Sequence, residues 1–425
     1  MKQDRSTAAR SAWRIAALEG AWVLVPLVAA LGAPAVYAEE DDLPLFLTVS
    51  QSFTRDSNLL KTSDNEEADT VSTSAARFGL NKSYGRQNYQ LDVTASHNKY
   101  SNFDEFNNNS LTGSGEFVTE VGANFRLTAN ANASQTLPKF EDNNTNRTGR
   151  NTLTTKRASV DLRYGLHGKL SVNGGYVRSN VKYRLTDYEN RDSNTWQMGL
   201  RYQPHNLMYY GLTYAHTDSD LPNLSVGEEH VQRRNLSLVA NWQVTGFSLF
   251  TGSLGYSQER YDLEPIRDFN GVTGTAAWTF TPAGKVSYRV NWRRDTNNEG
   301  GSSYSYQLFT SIVDVNSSVN RVTNQYSASA TWQATAKISS TLQFVHVRYD
   351  EERKDVSSLT ALGVSTTESD SQVGRLNIVS LGVDYQAMRN LSMGCEVQRY
   401  DRTASIFSRA YAGETVSCNL GYTLD

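Results

Sequence analysis

From about residue 45 onward the chain alternates between apolar and polar positions. Val272, Gly274, Ala276, Trp278 and Phe280 share one parity, and after a short break Val286, Tyr288, Val290 and Trp292 do the same. Trp196, Met198, Leu200 and Tyr202 are answered by Met208, Tyr210, Leu212 and Tyr214, and Leu236, Leu238, Ala240 and Trp242 repeat the pattern. A strand sends successive side chains to opposite faces. Each set is therefore one apolar stripe, backed by a face of Thr, Ser, Asn, Gln, Gly and charged residues.

The breaks carry turn chemistry. They fall at Ser83–Arg86, Glu120–Ala123, Gly165–Gly168, Gln203–Asn206, Val244–Gly246, Thr281–Gly284, Ala334–Lys337 and Ala387–Asn390. Between successive turns lie two strands and one long polar stretch, such as Asn102–Ser110, Lys139–Arg150, Asp218–His230 or Glu351–Ser371. Eight turns join sixteen strands. One more precedes them near Leu45–Phe53 and one follows near Thr415–Leu424, which predicts 18, with Asn297–Asn320 long enough to hide a further hairpin.

Two features separate a membrane barrel from a soluble sandwich. Phe280, Trp242, Tyr202 and Tyr164 all stand at the turn-side end of their stripes, where an aromatic girdle meets lipid headgroups. Short turns at one end and long polar loops at the other are the asymmetry of outer-membrane barrels. The expected fold is all-β: one transmembrane antiparallel up-and-down barrel of about 18 strands in a Gram-negative outer membrane, with both termini on the periplasmic side.

Residues 1–38 read as a cleaved signal peptide, leaving 39–425 as the barrel. Lys2, Arg5, Arg10 and Arg14 precede an apolar stretch from Ala21 to Leu31, and Val36-Tyr37-Ala38 offers small residues for a signal peptidase. Its loss removes four basic and two acidic residues from totals of 41 and 44, so the mature charge is near −5 and nucleic acid is not an expected partner. The mean hydropathy of −0.53 would suggest a soluble secreted protein. In a barrel, however, lipid-facing and lumen-facing residues average out along each strand.

Cys395 and Cys418 are the only cysteines. A hairpin symmetric about residues 406–407 pairs 391 with 422, 393 with 420, 395 with 418 and 397 with 416, joining apolar to apolar throughout. The cysteines then face each other closely enough for a disulfide. Two small lipid-facing thiols are the alternative, since one residue of slip removes the pairing.

With the apolar stripes toward lipid, the lumen receives Arg77, Asp92, Glu116, Arg126, Asp161, Arg163, Arg201, Arg233, Arg289, Arg293, Asp384 and Glu396. A lipid-facing Arg or Lys at midplane costs about 2–4 kcal/mol, which fixes their inward sense. They either bind hydroxyls and carboxylates of a passing solute or pair with one another and brace the wall. No catalytic set, cofactor motif or metal motif is present. The six histidines are scattered, Asp92 and His97 have opposite parity, and the His216-Asp218-Asp220 and Glu228-Glu229-His230 groups read more simply as solvated loops than as cation sites.

Val49-Ser50-Gln51-Ser52-Phe53-Thr54-Arg55-Asp56-Ser57-Asn58-Leu59-Leu60-Lys61 resembles the opening of the EpsL-type proteins of exopolysaccharide-biosynthesis operons. Tyr400-Asp401-Arg402 through Gly413 to Cys418-Asn419-Leu420-Gly421-Tyr422 is similar in layout to their closing part. The resemblance implies a barrel that exports a secreted polysaccharide with periplasmic and inner-membrane partners, and it implies no catalytic residues. The chain departs from usual barrel practice in ending Leu424-Asp425 rather than on an aromatic. A general or sugar-selective diffusion porin is the alternative, and Asn297–Asn320 is then the segment expected to fold into the pore. A plugged receptor is not expected, because the first strand begins soon after the cleavage site.

Overall fold

Alternation and turn chemistry together produce a ring of strands with no sheet edge. The computed structural model describes residues 45–424 except 139, 141–148, 225–226, 264, 266–267, 309–310, 360–363 and 407–408; the signal segment 1–38 lies outside the described residues. The first six strands are β1 (Leu45–Asp56), β2 (Asp69–Tyr84), β3 (Gln87–Tyr100), β4 (Asn108–Val121), β5 (Phe125–Thr136) and β6 (Leu153–Tyr164). Next come β7 (Leu170–Tyr183), β8 (Arg191–His205), β9 (Met208–Leu224), β10 (Gly227–Thr245), β11 (Ser248–Tyr261) and β12 (Phe269–Phe280). The last are β13 (Val286–Leu308), β14 (Ser311–Gln333), β15 (Ile338–Leu359), β16 (Val364–Met388), β17 (Leu391–Arg402) and β18 (Tyr411–Leu424).

Each strand pairs antiparallel with its sequence neighbours, and β1 pairs with both β2 and β18. The 18-stranded sheet is thus closed. Closure satisfies every ladder, the condition for backbone to cross lipid as strands. The short turns lie at the end that holds Leu45 and Leu424. At two of them Gly85 and Gly122 sit at φ 59° and 62°, a region that glycine enters without steric cost.

The outward face is the predicted apolar one. Met198 and Leu238 are each 63% exposed and Trp196 60%, with no protein packed over them. Contact across the concave side identifies the other face: Arg233 on β10 reaches Asp295 on β13 at 3.1 Å, over two intervening strands. Tyr164, Tyr202 and Trp242 form the lower girdle on the outer face. A second belt, which includes Trp196 tilted against Tyr176 with ring centres 4.5 Å apart, lies about 20 Å further along the strands at roughly 3.3 Å per residue. This outward band makes the protein an integral outer-membrane barrel.

In two segments read as loops from sequence, and in the stretch read as a hidden hairpin or a pore-entering segment, the described residues are strand. Asp218–His230, Asn297–Asn320 and Glu351–Ser371 continue the ladders, with Asp218 opposite Gln232, Asn298 opposite Asn320 and Arg353 opposite Asp370. Beyond the membrane both faces of a hairpin are wet, so polar side chains suit either face and the period-2 signal vanishes while backbone pairing persists. Asn297–Asn320 therefore extends the wall, paired through β14 to β15, and does not turn into the pore.

The seam between β1 and β18 is sutured by the loop after β1. Asn58, fully buried, donates its amide to the carbonyls of Thr62 and Ala412 and accepts from the Thr62 amide. Asp56 accepts from Lys61 at 2.7 Å and from the Tyr400 hydroxyl at 2.5 Å. The Asp-x-Asn-Leu segment thereby has a structural role in barrel closure.

Candidate functional site: the lumen wall

Register places every predicted lumen residue on the polar parity of its strand, and the structure sorts them into groups. Arg77 on β2 and Asp92 on β3 form an ion pair at 2.5 Å. Together with Gln90, Glu116, Asn130 and Asn132 they line a recess of about 610 Å³. Phe46 closes its lower side. The ring of Phe46 lies against Gly79, its register partner, where any Cβ would clash, and the Arg77 guanidinium sits 5.3 Å from the ring centre. Sequence reasoning missed Phe46 because an aromatic at the first turn of β1 looks like part of an outward stripe.

A second group stands on β5 to β8. Arg126 and Arg163 are direct cross-strand partners, and Arg201 lies opposite Ser171 on the next strand pair. Arg126 is paired with Glu120 at 2.5 Å. Among the described residues Arg163 donates to the Ser171 hydroxyl at 3.2 Å, and Arg201 to Gln203 at 3.0 Å while stacking on Tyr209 at 3.5 Å. Asp161 accepts from Asn173 at 3.4 Å.

Asp384 on β16 and Glu396 on β17 occupy the opposite wall, about half the ring away from β7 and β8. Neither carboxylate has a side-chain partner among the described residues. Near the periplasmic mouth, among the described residues, Arg163 and Arg201 therefore stand without carboxylate partners on one side, where Asp161 has Asn173, and Asp384 and Glu396 stand without cationic partners on the other.

The third group is a brace. Asp295 bridges Arg233 at 3.1 Å and Arg293 at 2.7 Å, and Arg233 also donates to Ser257. Arg289 donates to Asn291 at 3.1 Å. Asp295 shares the parity of Arg293 and was legible on that ground, but it adjoins the stretch read as a loop. Glu120, the partner of Arg126, was likewise assigned to a turn.

The remaining chemistry is structural. His216 contacts Asp218 at 3.2 Å and His230 bonds Asp220, but no group of three or more metal-ligating side chains forms among the described residues. Glu229 is buried and accepts from the Leu263 amide at 2.9 Å, holding a loop. Cys395 and Cys418 are register partners with Cα atoms 4.1 Å apart and are joined as a disulfide on the outward face.

No family model and no curated protein matches the sequence. Solved structures of similar architecture include OccAB3 of Acinetobacter baumannii, at 10% identity over 89% of this chain and 98% of that one, with a TM-score of 0.45. OccK2 (OpdF) of Pseudomonas aeruginosa in complex with glucuronate is 12% identical over 90% and 97% of the two chains, with a TM-score of 0.47. A mutant ferric enterobactin receptor (PfeA) of the same organism, in complex with enterobactin, is 9% identical over 89% and 81%, with a TM-score of 0.45. The likeness is one of barrel architecture alone.

Proposed function

We propose that this outer-membrane barrel is a water-filled conduit through which hydroxyl-rich, saccharide-like solutes diffuse. The recess at Phe46, Arg77, Asp92, Glu116, Asn130 and Asn132 carries this reading. An aromatic ring offers a surface to the apolar face of a sugar, while carboxylates, amides and a guanidinium meet its hydroxyls with directional hydrogen bonds. The opposed Arg163/Arg201 and Asp384/Glu396 walls add charge selectivity to a lumen of this strand number, wide enough for water.

Liposome swelling with the purified barrel tests it. Mono- and disaccharides should enter faster than uncharged polyethers of equal size, and Phe46→Ala or Arg77→Ala should erase that preference. Absence of any flux would reject the conduit; equal rates for both solute classes would reject the sugar preference.

Export of a secreted exopolysaccharide is the second reading, supported by the resemblance of Val49–Lys61 and of Tyr400–Tyr422 to the EpsL-type proteins. Periplasmic export proteins would then be partners. Deletion of the gene should abolish surface polymer while leaving precursor synthesis intact, and normal surface polymer in the deletion strain leaves the diffusion reading standing alone.

A further inference from the structure

We infer that the outward rim above β13–β17 binds the phosphate groups of outer-leaflet lipid, whatever the lumen carries. On these strands the lipid-facing parity changes from apolar to cationic within one or two alternate positions: Trp292 gives way to Arg294, Phe344 to His346 and Arg348, Val379 to Asn377 and Arg375, and Val397 to Arg399. Two residues along a strand span about 7 Å. The cations thus stand one headgroup's depth above the upper aromatic belt, contiguous with the hydrocarbon-facing surface.

Arg348 and Arg375 are direct register partners on this face. Like charges opposite each other weaken a sheet. Arg348 has Asp350 at 2.8 Å, but the exposed Arg375 guanidinium has no side-chain partner among the described residues. In the lumen Arg77, Arg126, Arg233 and Arg293 all have carboxylate partners, and Arg163, Arg201 and Arg289 have polar ones. Arg178, Arg234 and Arg260, on the same outward parity around β7–β11, are exposed and, like Arg375, have no side-chain partner among the described residues. Of the rim arginines on β13–β17, Arg399 has Glu414 at 3.5 Å and Arg294 has Asn324 at 3.0 Å, so Arg375 is the one without a side-chain partner among the described residues, and it stands directly opposite Arg348. A phosphate between Arg348 and Arg375 removes their repulsion, and the planar guanidinium fork matches its oxygens. An acyl chain attached to that phosphate lies directly on the apolar stripe below, which a free anion does not exploit.

The test uses the full barrel in detergent micelles and native mass spectrometry with two probes, bis-phosphorylated lipid A and its dephosphorylated form. Wild-type protein should retain the phosphorylated lipid preferentially. The double variant Arg348→Gln/Arg375→Gln should lose about thirtyfold in retention, at roughly fivefold per cation, while Arg348→Lys/Arg375→Lys keeps most of it. Heat-modifiable migration and single-channel conductance report folding, and both should match wild type because these residues lie outside the lumen. Equal retention of the two lipids by wild type overturns the proposal, as does undiminished retention by a folded Gln variant. Displacement of the lipid by millimolar inorganic phosphate also overturns it, since the site would then serve free anions. Should the Gln variant not fold, the two-lipid comparison on wild type still decides.

Discussion

Asn58 donates its side-chain amide to the main-chain carbonyl of Ala412 at 3.0 Å, joining the first loop to the last strand. All of its polar capacity is used: the second amide hydrogen goes to the Thr62 carbonyl at 2.8 Å and the carbonyl receives the Thr62 amide at 2.9 Å. Replacement by Ala leaves three partly buried backbone groups without this partner, each costing up to about 1–3 kcal/mol. Asn58→Ala should lower the unfolding midpoint in urea and open the β1–β18 seam first, read as faster hydrogen exchange along Ser50–Asp56. Unchanged exchange there would remove the suture.

Glu351 is fully buried and holds Arg321, 7% exposed, at 2.9 Å, with Ser405 donating to the same oxygen at 3.1 Å. Arg321 and Arg402 flank the Tyr349 ring at 5.0 and 4.9 Å. Removing one partner of a buried pair costs about 3–5 kcal/mol. Glu351→Ala should therefore destabilise strongly and release the segment after Arg402 to proteases, whereas Glu352→Ala, on the exposed side, should do neither.

The Cys395–Cys418 link closes a sequence separation of 23 residues. Chain-entropy arguments put such a cross-link near 3 kcal/mol. Cys395→Ser/Cys418→Ser should lower stability by up to about that amount, and the wild-type protein should take up alkylating reagent only after reduction in denaturant. Alkylation without reductant would identify free thiols.

Charge segregation across the lumen predicts opposite shifts in ion selectivity. Arg163→Gln/Arg201→Gln should move the reversal potential in asymmetric KCl toward that of a cation channel, and Asp384→Asn/Glu396→Gln toward that of an anion channel. Shifts in the same direction, or none, would mean that permeating ions do not sample these walls.

Gly79 has room for the Phe46 ring only because it lacks a Cβ. Gly79→Val should displace the ring into the lumen, reducing saccharide flux while leaving the fold closed. Undiminished flux would place the rate-controlling region elsewhere.

Sequence pattern was sufficient for the barrel because the membrane enforces alternation. From Trp196 to Tyr202, or Leu236 to Trp242, each residue faces either lipid or water and its type reveals which. That same logic fails outside the bilayer. Asn297–Asn320 and Glu351–Ser371 pair in the ladder where they are described, yet polar residues fill both parities there and no period remains to be read. The lumen list was legible by parity, and its grouping was not: which Arg finds which carboxylate depends on strand order around the ring, as with Arg233 and Asp295 three strands apart. Phe46 was hidden because its inward turn depends on the absence of a side chain at Gly79, on another strand.

The four strands β13–β16 stand well above the rest of the rim. β16 runs for 25 residues and β15 for 22, while β12 has only 12. Above Arg294, β13 has no partner on β12, and above Leu376, β16 has none on β17. The stretch of β16 without a β17 partner, paired on its other side to β15, projects about 40 Å along the strand at roughly 3.3 Å per residue. The opening is therefore overtopped on one flank, and the lower approach from the medium to the lumen lies over the shorter strands such as β1 and β12. Large objects meeting the cell surface, an antibody or a phage fibre among them, touch the taller flank before they reach the mouth.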